Sequence, residues 1–207
     1  MPAWEEEHPP GYIFAYGSLL SPDSLRRTLP GVSLETCVPA RCAGHVRNFG
    51  VAFPNDGSQQ DKAYYDKGSR PPVVLFCDMP LEPDRWLNGV CVPVDDASID
   101  ALKRRELRYE LHDVATRTTT YEGVAVERVS AFVGAERYTR VADSGRGVLQ
   151  YRYLETVQSG ARYWDAVCQG FYDDFVESTV LPERSRVRAL KRVDAAHRLV
   201  MKIGRRR

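Results

Sequence analysis

The chain has 207 residues, 43% of them hydrophobic and 28% charged, with 29 Lys and Arg against 28 Asp and Glu for a formal net charge of +1. That profile is ordinary for a folded globular chain of one domain and excludes a disordered or fibrous protein. The near-neutral sum gives the molecule no overall attraction for polyanions.

Residues 1–10, MPAWEEEHPP, are acidic and Pro-rich and are expected to be a flexible N-terminus without signal-peptide character. From Tyr12 the run Tyr-Ile-Phe-Ala-Tyr is apolar or aromatic, too short for a stable helix, and stops at Gly17-Ser18, which predicts a buried strand. Ser21, Pro22 and Asp23 then read as an N-cap with Pro at the first helical position, giving a short helix that ends near Leu29-Pro30-Gly31. Val46, Phe49, Val51 and Phe53 predict a second strand. Residues 54–72, PNDGSQQDKAYYDKGSRPP, carry turn formers and no periodicity and are expected to form a long loop.

A third strand is expected at Val73 to Cys77 and a fourth at Val90 to Val94, where Pro93 indicates an edge or bulge. Asp95 to Ser98 offer caps for a helix over Ile99 to Glu110. Thr116 to Tyr121 and Val124 to Val133 are rich in Thr and Val, as an antiparallel strand pair would be. Residues 143–147 form a turn that lacks the Lys and spacing of a phosphate loop. Tyr153, Val157, Ala161, Trp164, Cys168, Phe171 and Phe175 recur at three or four residues and predict one amphipathic helix. Strands and helices alternate irregularly, which points to an α+β domain over 11–180 and not to a doubly wound sheet. Residues 181–207 are crowded with Lys and Arg and are expected to be a basic tail, solvated or disordered, though able to attract nucleic acid.

On the helix beginning at Ile99, the residues Ile99, Leu102, Glu106 and Tyr109 share one stripe, so the Glu106 carboxylate is directed where apolar side chains point. A buried unpaired charge costs several kcal/mol, on the order of a strongly shifted pKa. Such a group is a candidate acid or base, the alternative being a rim position paired with Arg105. The second candidate is the turn Tyr16-Gly17-Ser18-Leu19 at the junction of strand and helix, where consecutive N–H groups can hold an anion. Other chemistries lack support. The four His residues show no paired metal-ligand spacing, Ser18 lacks the second Gly of a nucleophile elbow, and the five Cys residues form no CxxC pair. An odd cysteine count with no targeting signal fits free thiols in a reducing cytoplasm. No apolar stretch reaches membrane-spanning length.

Four segments in order resemble the γ-glutamylcyclotransferase-like family, which includes the ChaC-type glutathione-degrading enzymes and the plant AIG2-like proteins. Tyr16-Gly17-Ser18-Leu19 is similar to that family's YGS[NL] motif, and Gly44 to Phe53 (GHVRNFGVAF) to its second strand. Asn88-Gly89-Val90 followed by Arg105-Glu106 and Tyr109 resembles the strand-then-helix segment that bears the catalytic Glu. Tyr153 with Gly160-Ala161 resembles the late tyrosine and its following small pair.

The resemblance implies a small mixed β-barrel-like sheet flanked by helices. It implies Glu106 as general acid/base, the N–H groups of Gly17, Ser18 and Leu19 as the seat of a substrate α-carboxylate, and Tyr16 and Tyr153 in the same pocket. The implied reaction is an intramolecular cyclotransfer on a small γ-glutamyl amide that releases 5-oxoproline and an amine, with no cofactor and no metal. Three rivals stay open. One is a non-catalytic module that binds an acidic metabolite through the turn. Another is a nucleic-acid-associated protein acting through the tail. The third is an enzyme that removes a γ-glutamyl cap during biosynthesis.

Overall fold

The computed structural model describes residues 11–59, 61–142 and 145–194. Its elements are β1 (Gly11–Ala15), α1 (Pro22–Thr28), β2 (Val38–His45), β3 (Asn48–Pro54), β4 (Lys62–Tyr65), β5 (Val73–Asp78), β6 (Leu81–Val94), α2 (Asp96–Arg105), β7 (Tyr109–Asp113), β8 (Thr118–Thr120), β9 (Val129–Gly134), α3 (Glu136–Ala142), β10 (Gly147–Gln150), α4 (Tyr151–Asp165), α5 (Phe171–Glu177), β11 (Val187–Arg188) and β12 (Lys191–Asp194). A six-stranded sheet runs β7-β9-β1-β6-β2-β8, a four-stranded sheet runs β11-β10-β5-β3, and β12 pairs with β4. Both larger sheets are mixed: β1 is antiparallel to β6 and parallel to β9, while β5 is antiparallel to β3 and parallel to β10.

β1 reads as a continuous apolar run because both of its faces are covered. Successive side chains of a strand point to opposite sides. Phe14 and Tyr16 enter a core shared with Ala52, Leu75 and Leu149 of the four-stranded sheet. Ile13 and Ala15 enter a second core with Val90 and Val92 of β6, Leu25 of α1, Leu102 of α2 and Trp164 of α4. The result is the expected α+β arrangement, mixed sheets flanked by helices. Among the described residues no helix is long and apolar enough to cross a membrane.

The helix α4 sits directly on the single 3₁₀ turn Ser18–Leu20 that follows β1. Gly160 makes this approach possible, since a Cβ there would stand 2.5 Å from the backbone C of Leu20 and 2.5 Å from the N of Ser21. Four residues on, Trp164 Nε1 donates to the Leu20 carbonyl at 2.9 Å. Gly160→Ala is therefore expected to cost about 1–3 kcal/mol through overpacking against backbone that cannot rotate away. A urea titration measures it, and a wild-type midpoint would mean that α4 is free to shift.

Several elements differ from expectation. The helix predicted over Ile99 to Glu110 ends at Arg105, because Tyr109 onward pairs with β9 as β7. The single amphipathic helix is two, broken at Gly170, whose φ of 87° is left-handed. β8 pairs with β2 and β9 with β1 and β7, so the expected hairpin of Thr116–Tyr121 with Val124–Val133 is absent apart from a bridge between Thr119 and Ala125. The loop predicted over 54–72 contains β4, clamped by buried Asn55, whose Nδ2 donates to the carbonyls of Tyr64 (2.8 Å) and Pro71 (2.7 Å). β6 is an interior strand. Its ladder with β2 nevertheless stops at the pair Val38 and Cys91, so Pro93 has strand β1 alone beside it.

The basic segment after 180 joins the fold as far as Asp194. β11 adds to the four-stranded sheet, β12 pairs with β4, and Leu190 between them is buried. The remainder of that segment, the N-terminal decapeptide and positions 143 and 144 of the predicted turn lie outside the described residues.

Candidate active site

At the carboxyl end of β1 the chain turns into Ser18–Leu20 with Gly17 as the cap, at φ −111° and ψ −133°. The Leu20 N–H bonds the Gly17 carbonyl and the Ser21 N–H bonds that of Ser18, whereas the N–H groups of Gly17, Ser18 and Leu19 have no acceptor among the described residues. Gly17, Ser18 and Leu19 line a small cavity that opens to solvent. Gly17 keeps this turn uncrowded, since a Cβ would press on Cys77 Cβ at 3.2 Å, with Tyr153 Oη at 3.6 Å. Consecutive free N–H groups with the positive end of a helical turn behind them have the geometry to hold an anion.

Glu106 lines the same cavity. It is the residue that closes α2: its N–H bonds the Leu102 carbonyl at 2.8 Å and its carbonyl accepts the Tyr109 N–H at 3.0 Å. The backbone thus leaves the helix at Glu106 and enters β7 three residues later, which swings this side chain over the end of β1. Only 19% of the Glu106 side chain is exposed, and Arg105 Nε stands 3.4 Å from its Oε1. Burial pushes its pKa above the ordinary glutamate value; Arg105, Lys62 and Arg108 pull in the opposite direction without cancelling the rise. Arg105 also reaches Ser18 Oγ at 3.1 Å, which ties the end of α2 to the anion turn.

Two tyrosines fix the floor through the backbone of a single residue. Tyr153 Oη accepts the Cys77 N–H at 3.1 Å, and Tyr109 Oη donates to the Cys77 carbonyl at 2.7 Å. Tyr153 so bonded keeps its own hydroxyl hydrogen for an acceptor in the cavity. Phe76 packs edge-on against the Tyr153 ring at 4.9 Å and holds its orientation. Tyr16 lies beneath, its hydroxyl donating to the Phe132 carbonyl.

No family model matches this sequence, and no curated protein sequence matches it either. Solved structures do. A γ-glutamyl cyclotransferase superposes with a TM-score of 0.58 over 93% of this chain and 98% of its own, at 13% identity. An uncharacterized Homo sapiens protein superposes with a TM-score of 0.56 over 94% and 99%, also at 13% identity. A yeast γ-glutamyl cyclotransferase specific to glutathione gives 0.52 over 83% and 98%, at 13% identity. The chain has the γ-glutamyl cyclotransferase-like fold.

Within this cyclotransferase-like fold, all six residues singled out in the sequence, Tyr16, Gly17, Ser18, Leu19, Glu106 and Tyr153, line one cavity. Cys77 and Tyr109 join them there. Tyr109 stood on the apolar stripe with Glu106, so its pocket position had a signal in the spacing; Cys77 had none, as its role is played by its peptide group. Among the described residues no cluster of three or more His, Cys, Asp or Glu is placed to hold a metal ion.

The residue sequence reasoning missed altogether is Arg47. It is wholly buried, with Nε donating to the Tyr16 carbonyl at 2.9 Å, Nη1 to Thr179 Oγ1 at 2.9 Å, and Nη2 to the Asn88 carbonyl and to Asn88 Oδ1 at 3.1 Å. Its guanidinium lies 4.4 Å above the Phe175 ring. No carboxylate pairs with it among the described residues, and burial lowers its pKa to about 10. The positive charge therefore stands at the carbonyl end of the peptide group whose N–H is that of Gly17, fixing the carbonyl from which the turn departs.

Proposed function

We propose that this protein is a γ-glutamyl cyclotransferase, acting on a γ-glutamyl amide to release 5-oxoproline and a free amine. The observation that carries this reading is that a carboxylate with a raised pKa shares one small cavity with three free backbone N–H groups. Support also comes from the likeness of fold to solved γ-glutamyl cyclotransferases.

In this reading the substrate α-carboxylate rests on the N–H groups of Gly17, Ser18 and Leu19, with Arg47 behind them. The adjacent α-ammonium then points toward Glu106. Glu106 takes one proton from it, and the freed amine attacks its own γ-carbonyl, forming the ring C–N bond. As the tetrahedral intermediate collapses, the amide C–N bond breaks and Glu106 returns the proton to the leaving nitrogen. The extra proton still on the ring nitrogen then passes through the same carboxylate to the freed amine, leaving the neutral ring amide of 5-oxoproline, an ammonium product and ionised Glu106. A carboxylate pKa raised above the ordinary glutamate value suits both transfers. The step is intramolecular and redox-neutral, so the protein's main task is to hold the γ-glutamyl chain folded into a near-attack conformer.

Incubation with glutathione, γ-glutamyl amino acids and γ-glutamyl amines, followed by mass spectrometry for 5-oxoproline, tests the reading. Release from none of them would overturn it. The pH profile adds a sign. Glu106 must be ionised to start the reaction, so kcat/KM is expected to fall as pH drops through a pKa above the ordinary glutamate range. Arg105 is the strongest of the charges that favour the ionised form. Arg105→Gln is therefore expected to move this acid limb to higher pH, and an unmoved or lowered limb would mean that another group titrates.

A further inference from the structure

Outside the catalytic cavity lies a larger cleft, about 1350 Å³ with its open mouth, which shares Ser18, Glu106, Tyr109 and Tyr153 with it. The helices contribute Arg27, Arg104, Arg105 and Arg152 to this cleft. The strand side contributes Lys62 of β4, Arg108 before β7 and Arg192 of β12. Asp61 and Glu106 are its sole carboxylates among the described residues, in a chain whose net charge is only +1.

The local acids do not neutralise these cations. Asp61 is shared between Arg108 at 3.1 Å and Lys62 at 3.9 Å, and Glu106 is engaged by Arg105. Arg192 has Asp194 at 2.6 Å. Arg27, Arg104 and Arg152 have no ion-pair partner among the described residues. Lys62 lies half-buried between like charges, its ammonium 4.7 Å from the Phe76 ring, and Arg108, with 6% of its side chain exposed, leaves a buried Nε without an acceptor. Clustered cations at a partly enclosed cleft produce a field that draws anions.

Glu106 borders both spaces, so a γ-glutamyl group bound in the inner cavity directs its amide nitrogen, and whatever that nitrogen carries, into the cationic cleft. We infer that the amine half of the substrate carries at least two negative charges, as carboxylates or phosphate. This rests on the cyclotransferase reading above. Neutral amines lack the attraction, and cationic amines meet uncompensated Arg27, Arg104 and Arg152.

Two matched pairs of substrate test it: γ-glutamyl-O-phosphoethanolamine against γ-glutamylethanolamine, and γ-glutamylglutamate against γ-glutamylglutamine amide. The dianionic member of at least one pair is expected to have the higher kcat/KM by about tenfold or more, an advantage that shrinks with added salt. Preference within the first pair marks phosphate, and within the second, carboxylates. In the double variant Arg104→Gln, Arg152→Gln the preference is expected to fall about tenfold. Because it is a ratio within one protein, partial misfolding does not mimic this. Turnover of all four compounds without preference, or a preference that the double variant leaves intact, overturns the inference and leaves the cyclotransferase reading standing. If none of the four is turned over while glutathione or another γ-glutamyl compound is, the inference is overturned. If no γ-glutamyl compound is turned over, the cyclotransferase reading fails and calorimetry on Glu106→Gln protein decides the cleft. Tighter binding of the dianionic members then sustains it, and equal binding overturns it.

Discussion

Glu106→Gln is expected to lower kcat for 5-oxoproline release by about three orders of magnitude, while raising thermal stability at neutral pH. The first effect follows from losing the proton acceptor, since a positioned acid/base group contributes roughly 10²–10⁴-fold and glutamine can neither take the ammonium proton nor return it. The second follows from linkage. Burial raises the folded-state pKa of Glu106 above the unfolded value. The folded state therefore favours the protonated form, so the contribution of this group to stability is intact at low pH and is lost as pH rises through the folded pKa. Glutamine resembles the protonated carboxyl and escapes that loss.

The lost contact with Arg105, at 3.4 Å on a partly exposed pair, is worth only about 0–1 kcal/mol and runs the other way. Melting curves of both proteins should separate at pH 7.5, with the variant higher, and converge toward pH 4. Full activity in the variant would remove Glu106 from the mechanism. Equal melting points at both pH values would mean that its carboxylate is solvated.

Arg47→Met is expected to destabilise the protein by about 2–4 kcal/mol, a large share of a typical domain's stability. Two effects oppose each other. Methionine removes a buried cation that has no carboxylate partner, which relieves a desolvation cost already visible as a pKa lowered to about 10. It also strands the carbonyls of Tyr16 and Asn88 in a site without solvent, whereas the Thr179 hydroxyl keeps its bond to the Phe175 carbonyl. Each buried group left unsatisfied costs about 1–3 kcal/mol, and two carbonyls are stranded, so the loss outweighs the relief. Arg47→Lys keeps the charge but reaches fewer of these acceptors, because a lysine has no planar fork. It should retain part of the stability and lose affinity for the γ-glutamyl group. Urea unfolding ranks the three proteins. A Met variant within about 1 kcal/mol of wild type would show that the acceptors find other donors.

Much of the cavity was legible because its parts are local. A strand buried on both faces writes itself as an apolar run, and the run from Tyr12 stops where Gly17 begins the turn. Glu106 was legible as a charge on an apolar stripe, although that stripe bends: α2 ends at Arg105, and Glu106 reaches the cavity from the helix terminus. The helix end could not be read locally, because the pairing of Tyr109 with Gly134 decides it. β2 was missed for a different reason. Its buried positions Ala40 and Cys42 are small and weakly apolar, while Pro39 and Gly44 read as turn formers. β4 was missed because a four-residue strand is specified mainly by its partner β12, more than a hundred residues away.

By itself the sequence determined an α+β chain with a glycine turn at the end of its first strand, one misplaced carboxylate, and a late helix bearing Tyr153 and Gly160. These are properties of neighbouring residues, governed by periodicity and capping, and they survive in a linear reading. The tertiary structure alone decided that Arg47, 31 positions from Tyr16, would stand behind the anion turn, and that the Cys77 peptide, 76 positions from Tyr153, would anchor its hydroxyl. It alone gathered cations from α1, α2, β4, α4 and β12 around one mouth, in a chain whose total charge is nearly nil. Long-range packing sets which distant side chains share a space, and electrostatic character belongs to that shared space, which composition averages away.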